Sequence, residues 1–505
     1  MKLQSIFCIV IILVLGATMA ESKSAVQYKD NLILLSVKED PTVSFRIWFS
    51  VGSQNDPKGK EGLAMLTAEM LTEGATKSNS LVKILDLLYP MAAGYLSKVD
   101  KEMTVISGRV HKDNLKEFYQ LFKEAVLSPA FNEDDFNRIK SNMLNYIEND
   151  LRYSSDEDLG KAALYGYVFH NTPYGHLTEG SISGLKAITL DDVKDFYKTF
   201  YTKEAVHIGL AGAYENDFVA QIKKDFSALP SSPVGKATKI QTENFSGQNF
   251  FMIEKECDAT AISFGFPINV LRGQDDFFAL ILFASWFGEH RNSSSHLYQV
   301  IREARGLNYG DYAYIETFLD GSSLNMPEPN NARHQQIFEV WIRPVQHIHR
   351  HFALRAALRE LQNVVDKGIA KEDFEMTKKF LYKYALNYAP TTMRRLGYAI
   401  DSKFYGIQDK GDYIEYFRTK IAELTHEKVN KAIRKHIQYK NIKIAVVTQK
   451  ADEFKKALVD DVPSPVKYAT PKPQSVLDED KIIEKYSLKI IPEKIEIIKI
   501  DEMFK

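Results

Sequence analysis

The chain is short of cysteine. Two of its 505 residues are cysteines, Cys8 and Cys257. Cys8 lies in the apolar opening stretch, so a mature chain cut after that stretch would keep one thiol. A single thiol excludes an internal disulfide framework and supplies at most one ligand to any cysteine-based metal site. Cys257, in IEKECDAT, reads as a strand-end residue. An excess of one charge sign is also missing: 65 Lys and Arg stand against 66 Asp and Glu. That balance leaves no global pull toward nucleic acid or an anionic membrane. Beyond the first 20 residues no apolar run is long enough to span a bilayer. At 45% hydrophobic and 26% charged, the composition is that of an ordinary globular protein. The length sets an expectation of roughly two to four domains.

Residues 1–20 differ from the rest. Met1-Lys2 gives a positive start, Ile6 to Leu15 an apolar core, and Gly16 to Ala20 ends in small residues. This is the pattern of a secretory signal peptide cut after Ala20. The alternative is an uncleaved membrane anchor. Export would place the protein in a periplasm or outside the cell.

The remainder carries an internal repeat. NEDDFNRIKSNMLNYIEN, from Asn132, matches AKEDFEMTKKFLYKYALN, from Ala370. ITLDDVKDFYKTFYTKEAVHIGLAG, from Ile188, matches LTHEKVNKAIRKHIQYKNIKIAVVT, from Leu424. The landmark pairs Phe136/Phe374, Thr189/Thr425 and Phe218/Phe454 keep nearly constant spacing, which argues for duplication of one domain. The expected plan is residues 21–230 as a first domain, 231–246 as a proline- and serine-containing linker, 247–460 as a second domain and 461–505 as a tail. Alternating apolar stretches such as Val206, Ile208 and Leu210 mix with helical stripes such as Leu354, Leu358, Leu361 and Val365. The expected class is α+β, each half a mainly antiparallel sheet with helices packed on one face. The isoleucine-rich tail is expected to return as an edge strand or to pack along the second half.

The decisive shortage is of histidine on one helix. Phe45, Ile47, Phe49 and Val51 alternate as a strand, GSQNDP turns, and Leu63, Leu66 and Met70 of GLAMLTAEMLTEG fall at helical spacing. This run closely resembles the start of the pitrilysin/insulinase family of zinc peptidases, and the likeness extends over about residues 25 to 460. In that family the helix carries H-x-x-E-H. Two histidines at i and i+4 bind zinc, and the glutamate is the general base. Here the histidine places hold Met65 and Glu69, and the glutamate place holds Ala68. The place of the third ligand, a glutamate on a later helix, falls at Tyr146. The resemblance therefore implies a chain of peptidase build, two homologous domains facing each other as a shell, that binds no zinc itself.

A second stretch, LYQVIREARGLNYGDYAY, resembles the family's segment in which an Arg and a Tyr face the active site. The matching residues are Arg302 and Tyr309. Arg offers fixed N–H donors and Tyr an O–H donor, which together could hold a peptide carbonyl and the oxyanion formed from it. The plainer reading gives Arg302 a helix-end role and lets Tyr309 start a strand. In part of the family the two halves of a working site come from different chains. The expectation is thus a homologous partner subunit with H-x-x-E-H that carries the zinc, an extended peptide as substrate, and Arg302 and Tyr309 acting in trans. The alternatives are a peptidase-like scaffold without chemistry, or a peptidase with an unrecognised metal site. Glu69, Glu73 and Glu148 form the carboxylate version of such a site, though a solvated acidic face is the simpler reading.

Three further features are weighed. His347, His349 and His351 have metal-pair spacing but no acidic or cysteine ligand nearby, so helix-start and surface roles come first. His170 and His176 bracket a Pro-Tyr-Gly turn and read as structural; His111 has no ligand spacing. GYLSKVDKEMTVISGRV resembles the family strand to which a peptide adds as an extra strand. Its alternative is an ordinary strand pair with Lys98 and Lys101 keeping an edge soluble. Asn244 and Asn292 sit in glycosylation sequons, a pattern common by chance.

Overall fold

The computed structural model describes residues 25–233, 239–317 and 326–505. The stretch expected to be a signal peptide lies outside the described residues, as do 234–238 of the expected linker. Two six-stranded sheets are present. The first contains β1 (Gln27–Lys29), β2 (Leu32–Ser36), β3 (Thr42–Phe49), β4 (Gly94–Val99), β5 (Thr104–His111) and β6 (Val206–Gly212). The second contains β7 (Gln248–Glu254), β8 (Thr260–Ile268), β9 (Asp311–Tyr314), β10 (Gln336–Val345), β11 (Ile442–Thr448) and β12 (Ile495–Lys499).

The strand orders are β1-β2-β6-β3-β5-β4 and β12-β7-β11-β8-β10-β9. From the second position on they are the same order twice, as the repeat requires. Each is mainly antiparallel. The parallel pairs are β2 with β6, β7 with β11 and β12 with β7. The isoleucine-rich tail supplies β12, the outermost strand of the second sheet. Its lone N–H row meets Phe250 to Glu254 of β7, so the apolar side chains Ile495 and Ile497 are drawn from solvent.

Each half stacks its own helices on one face of its sheet. In the first half, Phe45, Ile47 and Phe49 of β3 point into a core with Leu66 and Met70 of the helix Leu63–Thr72, and Phe118 and Phe122 of Leu115–Leu127. In the second, Phe264 and Phe266 of β8 meet Phe277, Leu280 and Phe283 of Asp275–Gly288. The other face of each sheet is covered by a helix from the opposite half. Leu159, Ala163 and Leu164 of the helix Asp156–Val168 pack on Ile253, Ala261 and Val447 of the second sheet. Leu396, Ala399 and Ile400 of Thr392–Phe404 pack on Ile33, Trp48 and Ala211 of the first. The approach is close: a Cβ added at Gly209 of β6 would stand 3.2 Å from Leu396.

The exchange of helices ties the halves together, and buried charge adds to it. Arg333 of the second half bonds both carboxylate oxygens of Asp100 in the first, at 2.7 Å through Nε, and both side chains are almost wholly buried. Glu102 accepts from the backbone N–H of His334 at 2.7 Å and contacts its Nδ1 at 2.6 Å. Burial of this kind is tolerated because each charge has a hydrogen-bonded partner.

Candidate functional site

The helix Leu63–Thr72 begins after Gly62, whose φ of 105° turns the chain out of the preceding loop. Asp56 accepts from the N–H groups of Gly62 and Ala64, at 2.8 and 2.7 Å, and so satisfies donors that the first turn leaves free. One face of this helix, through Leu63, Leu66 and Met70, enters the core. Met65 and Glu69, at i and i+4, are half-buried on another face, and Ala68 is wholly buried. Burial, with the like charges of Glu73 and Glu179 beside it, pushes the Glu69 carboxyl up to about 7.

Tyr146 opens a π-helical stretch, Tyr146–Ser154, that continues from Glu133–Asn145. Its phenol is pushed up to about 12, mainly by burial and then by Glu179. Glu179 therefore stands near both Glu69 and Tyr146. Its own carboxyl is raised by burial, with Lys101 opposing the shift. This residue escaped the sequence reading because it lies in a loop and has no motif spacing to either helix.

These groups do not fit zinc. A thioether and a carboxyl stand where two imidazoles would be needed, a methyl group where the general base would be, and a phenol in place of the third ligand's carboxylate; the one carboxyl, Glu69, is pushed up to about 7. Among the described residues, no group of three or more His, Cys, Asp or Glu is placed to hold a metal ion. Of the carboxylates of the alternative site, Glu73 is exposed and Glu148 faces Lys186 at 3.5 Å.

Tyr146, Lys101 and Glu179 line a cavity of about 890 Å³ between the halves, with Arg333, Trp341 and Phe504 on other walls. This volume lies in the range of ligand pockets. Its walls are aromatic and charged together. Lys161 sits 4.0 Å from the centre of the Trp341 ring, and Arg333 4.8 Å from that of Tyr165. His170 and His176 also line it. His176 contacts the Asp56 carboxylate at 3.2 Å, so it supports the turn before the Leu63–Thr72 helix.

Lys98 and Lys101 do not act as solubilising edge charges. Strand β4 is the sheet edge, but Lys101 is buried and donates its Nζ to the carbonyl of His176. Burial, then the neighbouring Arg333, lowers its ammonium to about 8. Lys98 donates to the carbonyl of Pro329 at 3.2 Å. Alternation along the strand gave no sign that a loop of the second half would reach these side chains.

Arg302 and Tyr309 stand elsewhere. Arg302 ends a π-helical turn, Tyr298–Glu303, with Gly306 at φ 71° leading out of it toward β9. Its guanidinium is 38% exposed, 3.9 Å from the carboxylate of Glu303 and over the ring of Tyr298. Tyr309 is 79% exposed. Neither lines the cavity. The structure thus brings Glu69 and Tyr146 toward Glu179, with Met65 one turn away from Glu69 on the same helix, and leaves Arg302 partly exposed and Tyr309 largely exposed.

The histidine cluster is divided among local tasks. His347 meets the hydroxyl of Thr260 and the carbonyl of Cys257, both at 2.8 Å. His351 is buried, and its imidazolium is disfavoured so far that its value falls to about 3.

A two-domain α+β build with a degenerate peptidase helix defines the class, and comparison with known proteins gives the family. The profile described as "Insulinase (Peptidase family M16)" matches residues 32–177, and that described as "Peptidase M16 inactive domain" matches 187–381. The chain belongs to this family, with a peptidase-like build that lacks the family's zinc-binding side chains. The "Non-peptidase homolog YmxG" of Helicobacter pylori is 23% identical over 446 residues, covering 85% of this chain and 93% of that protein. The "Uncharacterized zinc protease YmxG" of Bacillus subtilis is 22% identical, covering 61% of this chain and 75% of that one. Among solved structures, a peptidase M16 inactive domain from Pseudomonas fluorescens superposes with a TM-score of 0.73 at 23% identity. It covers 84% of this chain and 97% of its own.

Proposed function

We propose that this chain is the non-zinc-binding subunit of a two-chain metallopeptidase. It binds an extended peptide and supplies Arg302 and Tyr309 to a zinc site on a homologous partner that keeps H-x-x-E-H. The zinc belongs to that partner, and both chains act in a periplasm or outside the cell. The observation that carries this reading is the contrast between the two candidate sites. The four catalytic positions hold Met65, Ala68, Glu69 and Tyr146, while Arg302 and Tyr309 remain, the first partly and the second largely exposed. Donors that do not line the chain's own cavity are available to a second chain.

Their chemistry suits that role. The Arg302 guanidinium and the Tyr309 hydroxyl can donate to a scissile carbonyl and to the oxyanion that develops on it. Neither can generate a nucleophile, because water without a metal keeps a pKa of about 15.7. The zinc of the partner would lower that value. The test is to purify the native protein with whatever accompanies it, then measure metal content and peptide hydrolysis for the chain alone and for the complex. The expected result is a zinc-bearing homologue and activity confined to the complex. With Arg302→Ala, activity of the complex is expected to fall by about 10²-fold or more, the usual loss for one oxyanion donor. Full activity of that variant would overturn the role given to Arg302.

A second reading has its own support. The Helicobacter pylori relative, which spans most of this chain, is named a non-peptidase homologue. A peptide-binding scaffold without proteolysis would show no partner and no effect of Arg302 on any hydrolysis.

A further inference from the structure

After β12 the chain leaves the second sheet and crosses to the first half. Here Arg152, in the π-helical stretch that begins at Tyr146, donates to the carbonyls of Asp501 and Met503. The hydroxyl of Tyr153 donates to the Asp501 carboxylate at 2.9 Å. The backbone N–H of Ile182 donates to the carbonyl of Phe504 at 2.8 Å. Met503 is buried among Leu159 and Ala163, and Phe504 packs against the cores of both halves. Both side chains also line the cavity between the halves.

Arg152 makes this contact unusual. Its side chain is 7% exposed, yet no carboxylate pairs with it among the described residues. Its side-chain hydrogen bonds go to the two main-chain carbonyls of the tail, and its Nε has no partner. A buried guanidinium needs acceptors. Without the tail this one would face a groove edged by the Tyr153 hydroxyl and the Ile182 N–H, each of which donates to the tail. The groove reads the main chain of a turned peptide, Ile500–Glu502 being a single 3-10 turn, together with one carboxylate and two large apolar side chains.

We propose that this groove is a peptide-binding site, and that residues Asp501–Phe504 occupy it in cis as an exchangeable internal ligand. A peptide of the same chemistry, an acidic residue followed two positions later by Met-Phe, enters by displacing the tail. Displacement also opens the cavity on the side of Tyr146. The site uses neither Arg302 nor Tyr309, so its test stands apart from theirs.

The experiment titrates a fluorescein-labelled peptide of residues 500–505, IDEMFK, by anisotropy into the full chain and into a chain ending at Lys499. The shortened chain is expected to bind at least about tenfold more tightly, since a site closed nine-tenths of the time loses that factor. A peptide with the Met and Phe replaced by Ser and Ala is expected not to bind. Equal affinity for both chains, or no binding to a shortened chain that still melts cooperatively, would overturn the proposal. If the shortened chain fails to fold, the full-length M503S/F504A variant carries the comparison: it must bind IDEMFK more tightly than the parent, and failure to do so is equally decisive against it.

Discussion

The helices Leu63–Thr72 and Asp275–Gly288 hold the same place in the two halves, each following the central strand of its sheet. Their surroundings differ. The second is apolar nearly all round: Phe277, Phe278, Leu280, Leu282, Phe283 and Phe287 are wholly buried, in contact with core on several sides. The first buries one stripe and leaves Met65 and Glu69 half-buried, with Glu69 near Glu179. A duplicated fold has thus assigned the same element two tasks. One copy fills volume. The other retains a face with room for polar groups, now occupied by a thioether and a carboxyl in place of imidazoles.

The comparison breaks hardest where a charge is moved from one helix to the other. Leu280→Glu places a carboxylate at a position with no exposure and is expected to cost more than about 4 kcal/mol. Glu69→Leu, the reverse change in the first half, is expected to leave stability equal or raised. Chemical denaturation of both variants checks the pair. Equal losses would mean that the two helices are not differently packed.

The exchanged helices offer the next contrast. Leu159 and Leu396 are both wholly buried, each against the sheet of the opposite half. Leu159→Ala and Leu396→Ala should each cost about 2–5 kcal/mol. Because each residue belongs to one half and stabilises the other, either change is expected to lower a single cooperative transition. Two separate transitions in calorimetry would show that the halves unfold independently.

Much of this architecture was legible and some was not, for identifiable reasons. The alternation of Phe45, Ile47 and Phe49 gave β3, and the repeat gave the matching strand order. The apolar stripe of Asp156–Val168 announces a buried face but cannot say which sheet it meets, because period alone carries no long-range partner. The same limit hid Arg333 against Asp100 and the tail against Arg152. Replacement of the family's ligand and base residues was readable at Met65, Ala68, Glu69 and Tyr146 only through the resemblance, which supplies the motif to which those places are matched. Glu179 was not readable. A loop glutamate acquires its place from the fold around it.

Glu69 supplies a smaller, pH-dependent difference between the helices. Its carboxyl is raised from an ordinary 4.5 to about 7 by burial, with Glu73 and Glu179 adding to it. The folded state therefore binds this proton more tightly than the unfolded one. The associated stabilisation is complete below about pH 4.5 and is lost as pH rises through about 7. Glu69→Gln cannot lose a proton, so its stability relative to the parent should improve between about pH 5 and pH 8, by about 1–3 kcal/mol. Denaturant midpoints across that interval test it. A constant difference would place the Glu69 carboxylate in water, and the half-buried face of the first helix would need another account.

The smallest effect is expected at the surface pair of the second half. Arg302 is partly exposed beside Glu303, and Tyr309 is largely exposed. Neither lies in a core cluster, so Arg302→Ala and Tyr309→Phe should each change stability by less than about 0.5 kcal/mol. That near-absence of a folding role gives the pair its value. A residue that contributes to packing can lower activity by unfolding the chain, whereas these two cannot. If both variants melt with the parent and still lower hydrolysis by the reconstituted complex, the loss belongs to contacts made beyond this chain. If instead either variant melts well below the parent, Arg302 and Tyr309 serve the second half as its own supports, and the division of labour between two chains loses its residues.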